Sequence, residues 1–156
     1  MNLLDIILIS IGLACDAFVV SITIGLNYKK IPLKVPLMTS FTFSLFQVIM
    51  PMLGFLVAYN FNPSITILTK FISFGILSII GINMLLSKED TTVDLKNILV
   101  LGLATSLDAF AIGLSLAFLE VNLIIALTSI GLITFLMCFV GPYLGNYFGT
   151  KILGKP

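Results

Sequence analysis

The chain carries little charge and no histidine. Only 10% of its 156 residues are Asp, Glu, Lys or Arg, against about 25% in an ordinary soluble domain. It has no basic block and no positive tail, so its net charge of +1 gives no sign of a nucleic-acid partner. Two cysteines, Cys15 and Cys138, both sit inside apolar runs and imply no disulfide framework. They read as small buried thiols, with Cys138 the better candidate if either were a soft metal ligand. Without histidine, a zinc, copper or nickel site lacks its commonest ligand. No Lys or Arg precedes the first apolar run, and that run is longer than the roughly 7–15 residues of a signal-peptide core, so no cleaved leader is expected. Nothing in the sequence points to an enzyme.

What is there instead is hydrocarbon. The chain is 59% hydrophobic, with a mean hydropathy of +1.20. A run of about 20 apolar residues crosses a hydrocarbon core of about 30 Å as a helix. Five such segments can be drawn: Leu3–Leu26, Leu37–Tyr59, about Ile65–Leu86, Ile98–Leu119 and Leu123–Tyr147. The second is entered through Pro32 and Pro36, and the third opens at Asn62-Pro63-Ser64, where a proline suits a helix start. The runs are continuous rather than alternating, which favours helices over barrel strands. The fold expected is an all-α polytopic membrane protein, residues 1–156 forming one transmembrane domain in the lipid bilayer.

Lysines supply the orientation. Lys29, Lys30 and Lys34 lie between segments one and two, Lys88 and Lys96 between three and four, and Lys151 and Lys155 after five. Residues 60–64 and 120–122 carry none, and Lys70 alone lies toward the other side. By the positive-inside rule the lysine-bearing loops are cytoplasmic and the N-terminus is outside.

The apolar runs are interrupted in a repeated way. Leu13-Ala14-Cys15-Asp16-Ala17-Phe18 returns as Ser106-Leu107-Asp108-Ala109-Phe110, each aspartate near mid-segment. One offset, 92, pairs Asp16 with Asp108, Phe18 with Phe110 and Thr23 with Ser115. An offset of 91 pairs Pro51-Met52-Leu53-Gly54 with Pro142-Tyr143-Leu144-Gly145 and sets Gln47 opposite Cys138. Segments one and two thus correspond to four and five. Three segments separate equivalent positions, an odd number, so the halves run oppositely through the membrane. Residues 1–87 form a first repeat and 95–156 an incomplete second one of a three-helix unit. A sixth span is expected near Lys151 and is missing at the C-terminus, by truncation or because a second protomer of a homodimer supplies it. Inverted repeats place transport sites near the midplane between the halves.

A carboxylate at mid-bilayer is unfavourable by roughly 2.5–3.5 kcal/mol on insertion scales and is a functional-site candidate for that reason. Helical spacing gathers Gly12, Asp16, Val19 and Thr23 on one face, and Thr105, Asp108, Ile112 and Ser115 on another. Ser106 can join the second face, while Ser40, Ser44 and Gln47 form a stripe on segment two. Gly12, Ala104 and Ala111 would let helices approach closely, as would the glycines at 141, 145 and 149. Pro51 and Pro142 are expected to kink or break their helices and free carbonyls toward the site. The metal-ligand candidates are Asp16, Asp108, Gln47, Thr105 and Ser106. Carboxylate, amide and hydroxyl oxygens suit Mn²⁺, Mg²⁺ or Ca²⁺. Two carboxylates neutralise one divalent ion, and without it they would not both stay ionised, so protons are the natural counter-ion. No permanently bound cofactor is implied.

On Gly12-Leu13-Ala14-Cys15-Asp16-Ala17-Phe18-Val19-Val20-Ser21, Phe46-Gln47-Val48-Ile49-Met50-Pro51 and Ala104-Thr105-Ser106-Leu107-Asp108-Ala109-Phe110-Ala111-Ile112-Gly113, the chain resembles the manganese efflux pump family of MntP type, a branch of the LysE-like exporters. The resemblance implies Mn²⁺ efflux across the bacterial inner membrane, six spans, and Asp16 and Asp108 as the essential acids. The alternative is a non-transporting membrane protein of the same fold, a sporulation or assembly factor. Amino-acid export fits poorly, since no Lys or Arg lies at mid-membrane to meet a zwitterion.

Overall fold

The computed structural model describes residues 2–26, 28–60, 95–119 and 121–152, with residues 71, 75, 78, 79 and 82 singly. The expected third span, about Ile65–Leu86, with Lys70, Asn83 and Lys88, lies outside the described residues. The described helices are α1 (Leu3–Leu26), α2 (Lys34–Asn60), α3 (Leu95–Thr105), α4 (Leu107–Leu116) and α5 (Leu123–Lys151). No strand occurs among the described residues. Among the described residues four stretches are long and apolar enough to cross a membrane: α1, α2, Ile98–Leu116 through α3 and α4, and α5.

Local chemistry sets the helix ends. At the start of α1 the Asp5 carboxylate accepts the Asn2 main-chain N–H at 3.0 Å, satisfying a donor that no helical carbonyl could reach. Asn122 caps α5, its side-chain oxygen accepting from the N–H groups of Ile124 and Ile125 at 3.1 and 3.4 Å. Pro36 falls in the first turn of α2, where a missing N–H leaves no helical bond unmade. The helices run on through Pro51 and Pro142. The interruption falls instead at Ser106, between α3 and α4.

In lipid, helices gain little from hiding apolar side chains from each other and pack through close backbone approach. α5 lies between α1 and α2. Gly145 meets the Ile22 carbonyl, Gly25 the Pro142 carbonyl, and Gly149 Leu26, so α1 and α5 run side by side in the same direction. On the other flank Gly54 meets the Phe110 carbonyl and Gly113 the Pro51 carbonyl, joining α2 to α4 in the same manner. A methyl group at any of these five glycines would press on the neighbouring helix, mostly on its backbone. Gly12 differs: among the described residues nothing lies within reach of a methyl group built there.

Three buried clusters stack along the bundle. Ile6, Leu116 and Ala126 close one end. Leu13, Ala109 and Ile130 fill the middle. Ala17, Ile24, Val35, Phe43, Ile98 and Cys138 lie toward the other end. The described lysines, Lys29, Lys30, Lys34, Lys96 and Lys151, are exposed and all belong to that last end.

Candidate functional site

Asp16 stands near the middle of α1, and Asp108 in the first turn of α4. Asp16 lies near enough to Asp108 for the two carboxylates to feel each other's charge. The break at Ser106 explains part of this. Ser106 leaves the helical path with φ −99° and ψ 0°, and its hydroxyl bonds back to the Leu103 carbonyl at 3.0 Å instead of capping α4. A serine that bonds its own preceding turn competes with the helix ladder. α4 therefore starts afresh at Leu107, with its N-terminal amides beside Asp108. The Asp108 carboxylate accepts the Ala109 N–H at 2.9 Å. A helix N-terminus in mid-span stabilises negative charge there.

Asp16 is exposed and Asp108 half-buried. Gly12, Cys15, Val19 and Thr23 are exposed with Asp16, so the α1 face drawn from the sequence is a real face, open among the described residues. Cys15 is thus not the buried thiol expected, because it projects from the side of α1 away from α5; Cys138 is buried.

The other candidates divide. Gln47 is fully buried, and its side-chain N–H₂ donates to the Leu13 carbonyl at 3.1 Å, one turn from Asp16. Its side-chain oxygen has no partner. The Thr105 hydroxyl is spent on the Leu101 and Gly102 carbonyls at 3.0 and 3.2 Å, and that of Ser106 on Leu103. Thr23 and Ser115 likewise bond their own helices, to Val20 and Ala111. Thr105 and Ser106 therefore stand close to Asp108 in the chain with hydroxyl protons already placed, leaving only lone pairs to offer an ion. No group of three or more Cys, Asp or Glu gathers in metal-binding geometry among the described residues. The break at Ser106 is the feature that sequence reasoning missed.

Long apolar helices packed through glycine and carbonyl contacts define a multi-pass α-helical membrane protein. Comparison with known proteins narrows this class. The family described as "Putative manganese efflux pump" matches residues 30–156. Proteins named manganese efflux pump MntP from Acetivibrio thermocellus and Desulfitobacterium hafniense are 42% and 40% identical, covering 99% and 96% of this chain and 82% of each relative. A namesake from Methanobrevibacter smithii is 37% identical over 98% of this chain and 90% of its own length. No solved structure matches. The chain belongs to this manganese efflux pump family, whose members are transporters rather than enzymes.

Proposed function

We propose that this protein moves Mn²⁺ out of the bacterial cytoplasm through a mid-bilayer site made by Asp16 and Asp108, one from each of two inverted repeats. The observation that carries the reading is the approach of the two carboxyl groups in the middle of a lipid-embedded bundle. Two adjoining carboxylates in low dielectric repel unless a cation or a proton lies between them. A divalent ion neutralises the pair, and Mn²⁺ prefers the oxygen ligands available.

The repeat is supported by contacts between corresponding helices, displaced by one turn from strict residue equivalence. Gly145 on the Ile22 carbonyl and Gly54 on the Phe110 carbonyl join corresponding helices, as do Pro142 on Gly25 and Pro51 on Gly113. Segment one packs on segment five as segment two packs on segment four. The lysine-rich end is the cytoplasmic one and the N-terminus is outside. Protons returning inward are the counter-ion, taken up by the carboxylate pair as the metal leaves.

The test is manganese tolerance in bacteria lacking their own exporter. The wild-type chain should restore growth and lower cellular Mn²⁺, and Asp16→Asn or Asp108→Asn should abolish both at equal membrane levels. Asparagine keeps the shape and hydrogen bonding of aspartate, so a scaffold would tolerate it. Full function in both variants would overturn the aspartate site, and a well-expressed wild-type chain that fails to lower cellular Mn²⁺ would leave the scaffold reading standing.

A further inference from the structure

Ten hydroxyl groups among the described residues follow one habit. Ser10, Ser21, Thr23, Ser40, Ser44, Thr105, Ser106, Ser115, Thr128 and Thr150 each donate to a carbonyl three or four residues earlier. That is the ordinary way to satisfy a hydroxyl on a helix. Thr39 and Thr134 do not, although both are fully buried. The third buried polar atom without a partner is the Gln47 side-chain oxygen.

Thr39 and Gln47 belong to α2 and Thr134 to α5, two helices that pack against each other. α1 and α5 run in the same direction, α1 and α2 are joined by a short loop, and so α2 and α5 are antiparallel. Gly131 of α5 meets Val48 of α2, and Gln47 reaches Leu13 of α1. Both contacts put Thr134 level with Gln47 to within about one helical turn. One turn toward the lysine-bearing end, Phe43 and Cys138 share a cluster, and the Ser21 hydroxyl stands beside the Cys138 thiol. Pro142 has no N–H, so the Cys138 carbonyl lacks its helical donor. Thr39 follows one turn beyond Phe43. The series from Gln47 to Thr39 covers roughly 12 Å, at 1.5 Å per residue.

We propose that this seam holds a file of water molecules, bound by Gln47, Thr134 and Thr39, that joins the level of the aspartate pair to the lysine-bearing end. Buried polar atoms without protein partners are what internal water binds, and such sites recur where several of them converge. Along the file a proton enters at one end as another leaves at the other, so no charge accumulates. Gln47 fits the inner terminus: its N–H₂ is anchored on Leu13, one turn from Asp16, which fixes the free oxygen. The use of the file for protons rests on the transport reading above; its hydration does not.

The test separates the two. Thr39→Cys, Thr134→Cys and, as a dry reference, Ile130→Cys are made in a Cys15→Ser/Cys138→Ser background. They are exposed in membrane vesicles without Mn²⁺ to a small cationic methanethiosulfonate. Such reagents attack thiolates, which need water. A hydrated seam gives reaction at positions 39 and 134 roughly tenfold or more faster than at the dry, apolar Ile130. Rates equal to the reference at either position overturn the file, whatever the protein transports. Thr39→Val and Thr134→Val supply the second readout. If wild-type vesicles exchange Mn²⁺ for protons, each should slow the exchange several-fold without loss of thermal stability. Unchanged exchange with labelled seam positions would remove the proton role and leave the water.

Discussion

Asp16 of α1 and Asp108 of α4, far apart in the chain, are brought near enough for their carboxylates to interact through charge. Their mutual repulsion is unfavourable to the folded protein unless a cation or proton intervenes. Asp16→Asn and Asp108→Asn each remove it while preserving shape. Each variant should therefore unfold at the same temperature as wild type or a higher one in detergent without divalent ions. Added Mn²⁺ should raise the wild-type midpoint and leave both variants unmoved, since a ligand stabilises only the state that binds it. Loss of stability on either substitution would mark the pair as a structural hydrogen bond instead.

The same pair sets a pH dependence. Metal ligands must be deprotonated, so if the pair holds Mn²⁺ as proposed, protons and Mn²⁺ compete for the carboxylates. Apparent affinity for Mn²⁺ should fall as pH drops from about 8 to about 6, with the proton replacing the metal. Proteoliposomes with a manganese-quenched dye inside read this directly. Uptake that is flat across that interval would exclude exchange against protons at this site.

The membrane class, the span α1 residue for residue, and the candidacy of Asp16 and Asp108 for a site were legible in the sequence. Composition dictates the first two, and the repeated Asp-Ala-Phe text carries the third. The helix break was misplaced for a physical reason. Pro51 and Pro142 were expected to kink or break their helices; neither helix is broken there, and each proline has a glycine of the facing helix, Gly113 or Gly25, against its own carbonyl. Ser106 breaks the ladder because its hydroxyl takes the Leu103 carbonyl. Which serine does this depends on tertiary packing, since ten hydroxyls in the bundle make similar bonds and the others leave their helices intact. The state of Gln47 was also beyond the sequence: its position on a stripe was readable, its bond to Leu13 was not.

Glycine contacts give a pair of opposite outcomes. A methyl at Gly113 would run into the Pro51 backbone, and nothing flexible is there to yield. Gly113→Ala should destabilise by about 1–3 kcal/mol, the usual range for overpacking. Gly12→Ala meets no described residue and should be neutral or stabilising by up to about 1 kcal/mol, from reduced backbone entropy. Thermal unfolding of the two variants in one detergent, side by side, compares them. Equal midpoints would mean that α2 and α4 part more easily than their contact implies.

The last prediction concerns the loop between α1 and α2. The Asn146 side chain of α5 donates to the carbonyls of Tyr28 and Lys29, the latter at 3.2 Å. Two donors of one amide thus fasten the first lysine-bearing loop to the end of α5. Lys29 and Lys30 are exposed, so trypsin can reach them only from the side they face. In inside-out vesicles, cleavage after these residues should occur, and in right-side-out vesicles it should not, if this end is cytoplasmic. Asn146→Leu removes both bonds and should speed the inside-out cleavage several-fold, because proteolysis follows local opening. The fold should survive, since the glycine contacts of α1 with α5 remain. Cleavage from the other face would invert the orientation. Identical rates for wild type and variant would show that the loop is held by its apolar residues alone.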